Sequence, residues 1–451
     1  MKGAGMNVVP VVVVGAGPVG LAAAAELVER GLEPLVLERD ERAGAAVAQW
    51  HHVRLFSRWS ELVAPAARRL LEAAGWEQPR ADAYPTGAEW VESYLAPLAR
   101  VLGDRIRFGA EVVGLARRGR DRVVDAGRES EPLTVHVRTG DGRQERITAR
   151  GVIDASGTWT SPNPLGGEGL PAIGEAEAAD RIAYRVPDLT DPATAVRYAG
   201  RHVVVAGSGH SALTALVAFA GLAERDPSTR ITWLLRRGVV GAVFGGGEAD
   251  QLPARGALGL RAKAAVEAGH IHVVTGFRTE SVTRDENDLL VLLSSEGRQV
   301  EAVDEVVVLA GFRPDLSWLS EVRLALDATL QAPVGLAPLI DPNVHSCGTV
   351  YPHGVKELAH PEPNVFLAGM KSYGRAPTFL ALTGYEQVRS IAAALAGDRE
   401  SAERVELVLP ETGVCGGSGV FDEPAANRNS GCCGTPAGVQ DLTLSVQGQR
   451  S

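Results

Sequence analysis

Val11-Val12-Val13-Val14-Gly15-Ala16-Gly17-Pro18-Val19-Gly20 is the stretch that decides the fold of this 451-residue chain. Four consecutive β-branched residues read as a strand buried on both faces of a parallel sheet. The glycines that follow open an Ala-rich helix expected over residues 21–30, which Gly31 stops. Pro34 to Leu37 then lead a second apolar strand into Glu38. Each glycine has its own task. Gly15 permits the tight turn, Gly17 lets backbone amides reach a pyrophosphate, and Gly20 lets helix and strand pack closely. The helix N-terminus, beginning at Pro18, faces the negative charge. Glu38, 18 residues after Gly20, is placed to accept hydrogen bonds from ribose hydroxyls. Together these residues describe an adenosine-dinucleotide site.

The same pattern returns at Val203-Val204-Val205-Ala206, followed by Gly207-Ser208-Gly209-His210-Ser211-Ala212. A helix to about Arg225 and a strand from Ile231 to Leu235 complete this second unit, with Ala212 standing where the third glycine was. Its second strand ends in Arg236-Arg237 instead of an acid. A carboxylate would repel a 2′-phosphate, whereas guanidinium groups grip one in a bidentate fork. The first site therefore suits FAD and the second suits NADPH.

Each unit is followed by a hairpin and a closing strand. Leu133 to Val137 turns at residues 140–143 and returns near Ile147, ahead of Val152-Ile153-Asp154-Ala155-Ser156-Gly157. Leu289 to Leu293 turns at Glu296-Gly297, ahead of Val306-Val307-Val308-Leu309-Ala310-Gly311. The fold class expected is α/β, with two Rossmann-like dinucleotide-binding domains, each carrying a small antiparallel hairpin. The expected limits are 1–165 for the first part of the FAD domain, 166–305 for an inserted NADPH domain and 306–410 for the second part of the FAD domain. Residues 411–451 are rich in Gly, Ser, Asn and Pro and read as a flexible tail carrying cysteines.

The pairing of two such units, with Ala155-Ser156-Gly157-Thr158-Trp159 and Ala310-Gly311-Phe312-Arg313-Pro314 between them, resembles the flavin-containing monooxygenase superfamily over about residues 8–400. The stretch Ser208-Gly209-His210-Ser211-Ala212 and the segment Asp341-Pro342-Asn343-Val344-His345-Ser346-Cys347-Gly348 resemble, more narrowly, actinobacterial flavoproteins often encoded beside arsenic-resistance genes. The resemblance implies FAD and NADPH as cofactors and transfer of one oxygen atom to a soft small-molecule nucleophile. It also implies that Phe366-Leu367-Ala368-Gly369 is the last FAD-contacting strand, with Met370 where an acid commonly follows the glycine. The superfamily's F-x-G-x-x-x-H-x-x-x-Y fingerprint is replaced here by Ile173-Gly174-Glu175 through Tyr184, with Asp180 near the histidine position. Arg39, Trp50, Val112, Ser208, Ser211 and Gly311 complete the expected cofactor contacts. Beyond Gly369, a helix expected over residues 377–396 should aim its N-terminus at the flavin. Tyr373, Thr378 and Cys347 are the candidate catalytic groups, and Tyr385 and Gln387 are candidates for the substrate side.

Disulfide reductases share this two-dinucleotide plan, but they need a redox-active dithiol against the flavin. The segment after the first unit reads Gln49-Trp50-His51-His52, with no C-x-x-x-x-C there and no C-x-x-C between residues 100 and 300. The tail offers Cys415, Cys432 and Cys433, three soft thiolates suited to arsenite or antimonite. An NADPH-flavin reductase or binder of a thiol-bound metalloid is the alternative function. His270 and His272 alternate on one strand face without an apparent third metal ligand.

Composition narrows the rest. Against 45 Lys+Arg stand 55 Asp+Glu, a formal net charge of −10, and no long basic run occurs. That disfavours a general nucleic-acid binder. Residues 8–25 carry one charge-free run, but their glycines belong to a nucleotide loop and not to a membrane span. Four cysteines form no disulfide framework. A cytoplasmic enzyme with a small-molecule substrate is expected, with a homo-oligomer compatible.

Overall fold

The computed structural model describes residues 9–238, 241–250, 252–344, 353–377 and 379–405. Thr378 and all four cysteines (Cys347, Cys415, Cys432 and Cys433) lie outside the described residues. Among those described, no helix is long and apolar enough to cross a membrane.

The first half of the chain forms β1 (Val11–Val14), β2 (Pro34–Leu37), β3 (Ile106–Arg107), β4 (Ala110–Arg117), β5 (Leu133–Thr139), β6 (Gln144–Ala149) and β7 (Gly151–Asp154). The valine run of β1 is wholly buried, as its position in the middle of a parallel sheet demands. Next come β8 (Ile182–Ala183), β9 (His202–Ala206), β10 (Arg230–Leu234), β11 (His272–Val274), β12 (Thr279–Arg284), β13 (Leu290–Ser294), β14 (Gln299–Val303) and β15 (Glu305–Val308). The last strand, β16 (Val365–Leu367), returns to the first sheet.

Two five-stranded sheets result, ordered β16-β7-β1-β2-β3 and β11-β10-β9-β15-β8, with parallel pairing throughout. Each is accompanied by a three-stranded antiparallel sheet, β4-β5-β6 in one case and β12-β13-β14 in the other. The hairpins read from the sequence are the second and third strands of these small sheets. The limit expected at residues 305/306 cuts through β15, whose residues pair with β9 in the second sheet. Pairing sets this limit, and the chain returns toward the first sheet only after residue 308.

The helix Pro18–Glu29 starts three residues earlier than expected, because Pro at its first turn costs no hydrogen bond and presets the backbone. It packs against the helix Ala381–Leu395, and Leu21, Leu27, Val388 and Ile391 are fully buried in one core. That second helix begins later than its expected start at Pro377. The second sheet has its own core around Trp233, Phe219, Val203 and Val205.

A buried ionic cluster fastens the first small sheet to the segment leading into β16. Glu362 accepts from Arg117 Nε at 2.7 Å, from Arg128 Nη2 at 2.7 Å and from the Arg323 backbone N–H at 3.1 Å. The Glu362, Arg117 and Arg128 side chains are at most 4% exposed. Burial opposes the charge, but these donors outweigh it and hold the carboxyl below its ordinary value of 4.5. A depressed carboxyl stabilises the fold fully above its unfolded value, and that contribution fades as pH falls through the folded one. Glu362→Ala leaves two buried guanidinium groups uncompensated and should cost about 3–5 kcal/mol by urea unfolding at pH 7. The gap between variant and native protein should narrow in acid.

Candidate functional site

Both glycine loops are held against a strand-end turn. Gly15 has φ +98°, and a Cβ there would lie 2.9 Å from the Ala155 carbonyl oxygen. Gly207 repeats this at φ +136°, where a Cβ would meet the Leu309 carbonyl oxygen at 2.3 Å. At Gly20 a Cβ would stand 1.9 Å from the Gly15 carbonyl oxygen, which accounts for the third glycine through packing alone. Gly17 differs in kind. No protein atom lies within 4 Å of its would-be Cβ, and the same holds at Gly157 and Gly209. These three backbones are bare toward open space, as a cradle for a bulky anion requires.

Gly17 and Gly157 face a cleft of about 720 Å³. Gly15, Gly17, Pro18, Glu38, Arg39, Trp50, Val112, Ala155, Ser156, Gly157, Gly311, Gly369 and Met370 all line it. So do His210 and Ser211, from the first turn of the helix His210–Arg225 that follows the second glycine loop. The two nucleotide units therefore open into one shared cleft. Phe379, Leu380 and Ala381 also line it, which brings the start of the helix Ala381–Leu395 to the cleft wall.

Glu38 ends β2 at the expected place, but its carboxylate is engaged within the protein. It accepts from the Ala16 N–H at 2.6 Å and from the Asp40 N–H at 3.0 Å. Burial raises its pKa against these two hydrogen bonds. Each oxygen keeps a lone pair for a hydroxyl donor. Burial, followed by the Arg255 charge, lowers the His210 pKa to about 4. Its ring, edge-on to Phe56 with centroids 5.2 Å apart, is therefore neutral near pH 7.

Gly207, Ser208 and Gly209 shape the second loop without lining the cleft, and neither do Arg236 and Arg237 at the end of β10. Arg236 is exposed and donates to the Gly167 carbonyl at 3.3 Å. β10 neighbours β9, so the pair stands beside the second loop.

Tyr373 does not line the cleft. It is 1% exposed and packs edge-on against Phe379 with ring centroids 4.9 Å apart, so its bulk serves the core. Tyr385 likewise donates to the Leu62 carbonyl inside the core, and Gln387 accepts from the Gly369 N–H at 2.8 Å. Neither is among the residues lining the cleft. His270 and His272 face a different groove, beside Arg298 and Glu301.

The sequence reading missed Lys371. Its ammonium lies 2.8 Å from Asp154 Oδ2 at the end of β7 and donates to Ser156 Oγ at 2.9 Å. Ser156 in turn donates to Asp154 Oδ1 at 2.6 Å, and the ammonium also sits 5.1 Å from the Trp318 ring centroid. Lysine and aspartate are at most 2% exposed, and Lys371 lines the cleft. The signal was present as two opposite charges, Asp154 closing β7 and Lys371 in the turn Gly369–Tyr373 after β16, but only pairing of β7 with β16 brings them together.

Two strands cross between the sheets side by side. Asn163 N–H donates to the Gly311 carbonyl and Arg313 N–H to the Ser161 carbonyl, each at 2.9 Å. Trp159 and Phe312 stack over this crossing with centroids 4.8 Å apart.

Two parallel dinucleotide sheets, one inserted in the other and sharing a cleft, define a two-dinucleotide flavoprotein oxidoreductase. The chain belongs to the family described as pyridine nucleotide-disulphide oxidoreductase, whose model matches residues 12–335. A ferredoxin–NADP reductase of Ignicoccus hospitalis is 27% identical over 314 residues, covering 69% of this chain and 79% of its own. The indole-3-pyruvate monooxygenase YUCCA1 of Oryza sativa is 30% identical over 203 residues, 45% of this chain and 43% of that protein. Among solved structures, the bacillithiol disulfide reductase Bdr of Bacillus cereus superposes with a TM-score of 0.63 at 20% identity, covering 86% of this chain and 99% of its own. The protein is thus an oxidoreductase enzyme with FAD and NADPH as its cofactors. None of these relatives is described as linked to arsenic, so the narrower resemblance carries no further argument.

Two outcomes test the site. Gly17→Val fills only open space, so thermal unfolding should stay cooperative while the purified protein loses its yellow colour. Lys371→Met strands Asp154 and should destabilise by about 3–5 kcal/mol, and adding Asp154→Asn should recover much of that loss in a double-mutant cycle.

Proposed function

We propose that this protein is an NADPH-dependent FAD monooxygenase that transfers one oxygen atom to a soft small-molecule nucleophile. The observation that carries the reading is the single cleft lined both by the first glycine loop and by the first turn of the helix His210–Arg225, in a chain whose sequence has no C-x-x-C or C-x-x-x-x-C dithiol beside either unit. FAD held there supplies acceptance of hydride from NADPH and, once reduced, activation of oxygen.

The chain's own residues bind, orient and exclude water. The bare backbone at Gly17 and the start of the helix Pro18–Glu29 hold the pyrophosphate of FAD, and Glu38 holds its adenosine ribose. The first turn of the helix His210–Arg225 receives the pyrophosphate of NADPH, and Arg236 and Arg237 grip its 2′-phosphate. Neutral His210 adds no charge to that approach. The start of the helix Ala381–Leu395 presents its positive dipole end to the cleft, where it favours a reduced, anionic ring. Trp50, Phe56, Trp318 and Phe379 make apolar walls that exclude water from the reacting groups.

The similarity to reductases supports a second reading, in which NADPH oxidation reduces a thiol-bound metal or metalloid ion, or the thiolates of Cys415, Cys432 and Cys433 simply bind arsenite or antimonite. An oxygen-electrode trace separates the two. The monooxygenase consumes NADPH and oxygen in proportion to oxidised product from a panel of sulfides, amines and arsenite. It keeps doing so when the three tail cysteines are changed to serine. Anaerobic NADPH oxidation that requires a thiol-bound two-electron acceptor such as mercuric ion and disappears in Cys432→Ser would overturn it. Replacing Arg236 and Arg237 together by Gln should raise KM for NADPH at least about tenfold while leaving NADH little changed, the size expected for lost charge-assisted hydrogen bonds.

A further inference from the structure

We propose that His51, His52 and Asp188 form a binding site for one divalent transition-metal ion of the zinc class. The site joins the first nucleotide unit to the beginning of the insert. It is independent of the flavin chemistry.

The three side chains come from two distant segments. His51 and His52 follow Trp50 in the loop beside the cleft, and Asp188 lies six residues beyond Ile182, the first residue of β8. One ligand atom from each lies within 4.8 Å of the others. His51 Nε2 and Asp188 Oδ2 are already 3.3 Å apart. Ligands bound to zinc at 2.0–2.2 Å in tetrahedral geometry stand about 3.4 Å from one another, so side-chain rotation alone can complete the contraction.

His52 is the strongest indication. Its ring is half-buried, both ring nitrogens are shielded from solvent, and the backbone of Val186 and Pro187 lies beside them without forming a well-aligned hydrogen bond. A shielded imidazole nitrogen without a well-aligned partner is costly, and a metal ion bound there would satisfy one of the two. Asp188 is set for the same task. Its Oδ1 accepts from Thr190 N–H at 3.0 Å and from Thr190 Oγ at 2.6 Å, which orients Oδ2 toward His51. Such outer partners commonly fix the direction of a metal-bound carboxylate. The exposed ring of His51 provides the path of entry.

The donor set selects the metal. Two imidazoles and one carboxylate suit zinc and its neighbours, whereas magnesium and calcium prefer oxygen alone. Three protein ligands leave a fourth position for water. Trp50 and Val186, adjacent in sequence to His51 and close to Asp188, line the shared cleft. A bound ion would therefore clamp the insert to the first unit at the cleft's edge, holding the two nucleotide sites in fixed relation.

The test uses the full-length, flavin-loaded protein with Cys415, Cys432 and Cys433 changed to serine, so that tail thiolates do not compete. After treatment with a chelator and dialysis, zinc chloride is titrated calorimetrically, with magnesium chloride as control. One zinc per chain is expected and no magnesium, with zinc affinity at least tenfold weaker in His52→Ala and in Asp188→Asn at unchanged flavin absorbance. Asp188→Asn, at a partly exposed position, keeps the test valid if His52→Ala fails to fold. Absence of a stoichiometric zinc site, or zinc affinity unaltered in both variants, would leave only a His51–Asp188 ion pair and overturn the proposal.

Discussion

Everything in this molecule depends on how closely two glycine loops approach two strand-end turns. Gly15 lies under the Ala155 carbonyl and Gly207 under the Leu309 carbonyl, at separations that leave no room for a side chain. Each approach presses the start of a helix against the open end of its parallel sheet. Backbone N–H groups and a helix dipole are then directed at the same volume. Without that contact there is a sheet and a helix, but no cradle.

The same turns carry the chain from one sheet to the other and back. Because Ala155 and Leu309 both fasten a loop and begin a crossing, the two nucleotide units cannot be positioned independently. The paired crossing strands, with Asn163 and Arg313 bonded to the opposite strand, make one ribbon between the sheets. One consequence is that the first turn of the helix His210–Arg225 borders the cleft built by Gly15, Gly17 and Glu38. Another is charge balance inside the cleft. Lys371 and Asp154 neutralise each other against Trp318, so a low-dielectric wall is kept where a lone charge would demand water.

Several features were legible because they follow from local chemistry. A run of valines, a glycine pair before an apolar helix, and a charged residue closing the second strand each have one economical explanation. The doubling of that pattern implied two parallel sheets, and it is matched by the strand orders observed. Tyr373 shows where local reasoning stops. Its position after Gly369 placed it near the flavin, yet its ring turns into the core against Phe379. Lys371, two residues earlier, faces the cleft instead. In an irregular turn no period of two or 3.6 residues assigns faces, so neighbouring side chains diverge as packing dictates.

By itself, then, the sequence determined the two nucleotide loops, the residues that build them and the parallel sheets that carry them, because strand and helix periodicity and glycine's missing Cβ act over short distances. Only the tertiary structure decided that the first glycine loop and the first turn of the helix His210–Arg225 share a cleft, that Lys371 meets Asp154, and that His51 and His52 meet Asp188. Those meetings join segments more than a hundred residues apart, and their partners are chosen by strand pairing and by the crossing between sheets, which no local pattern of residues encodes.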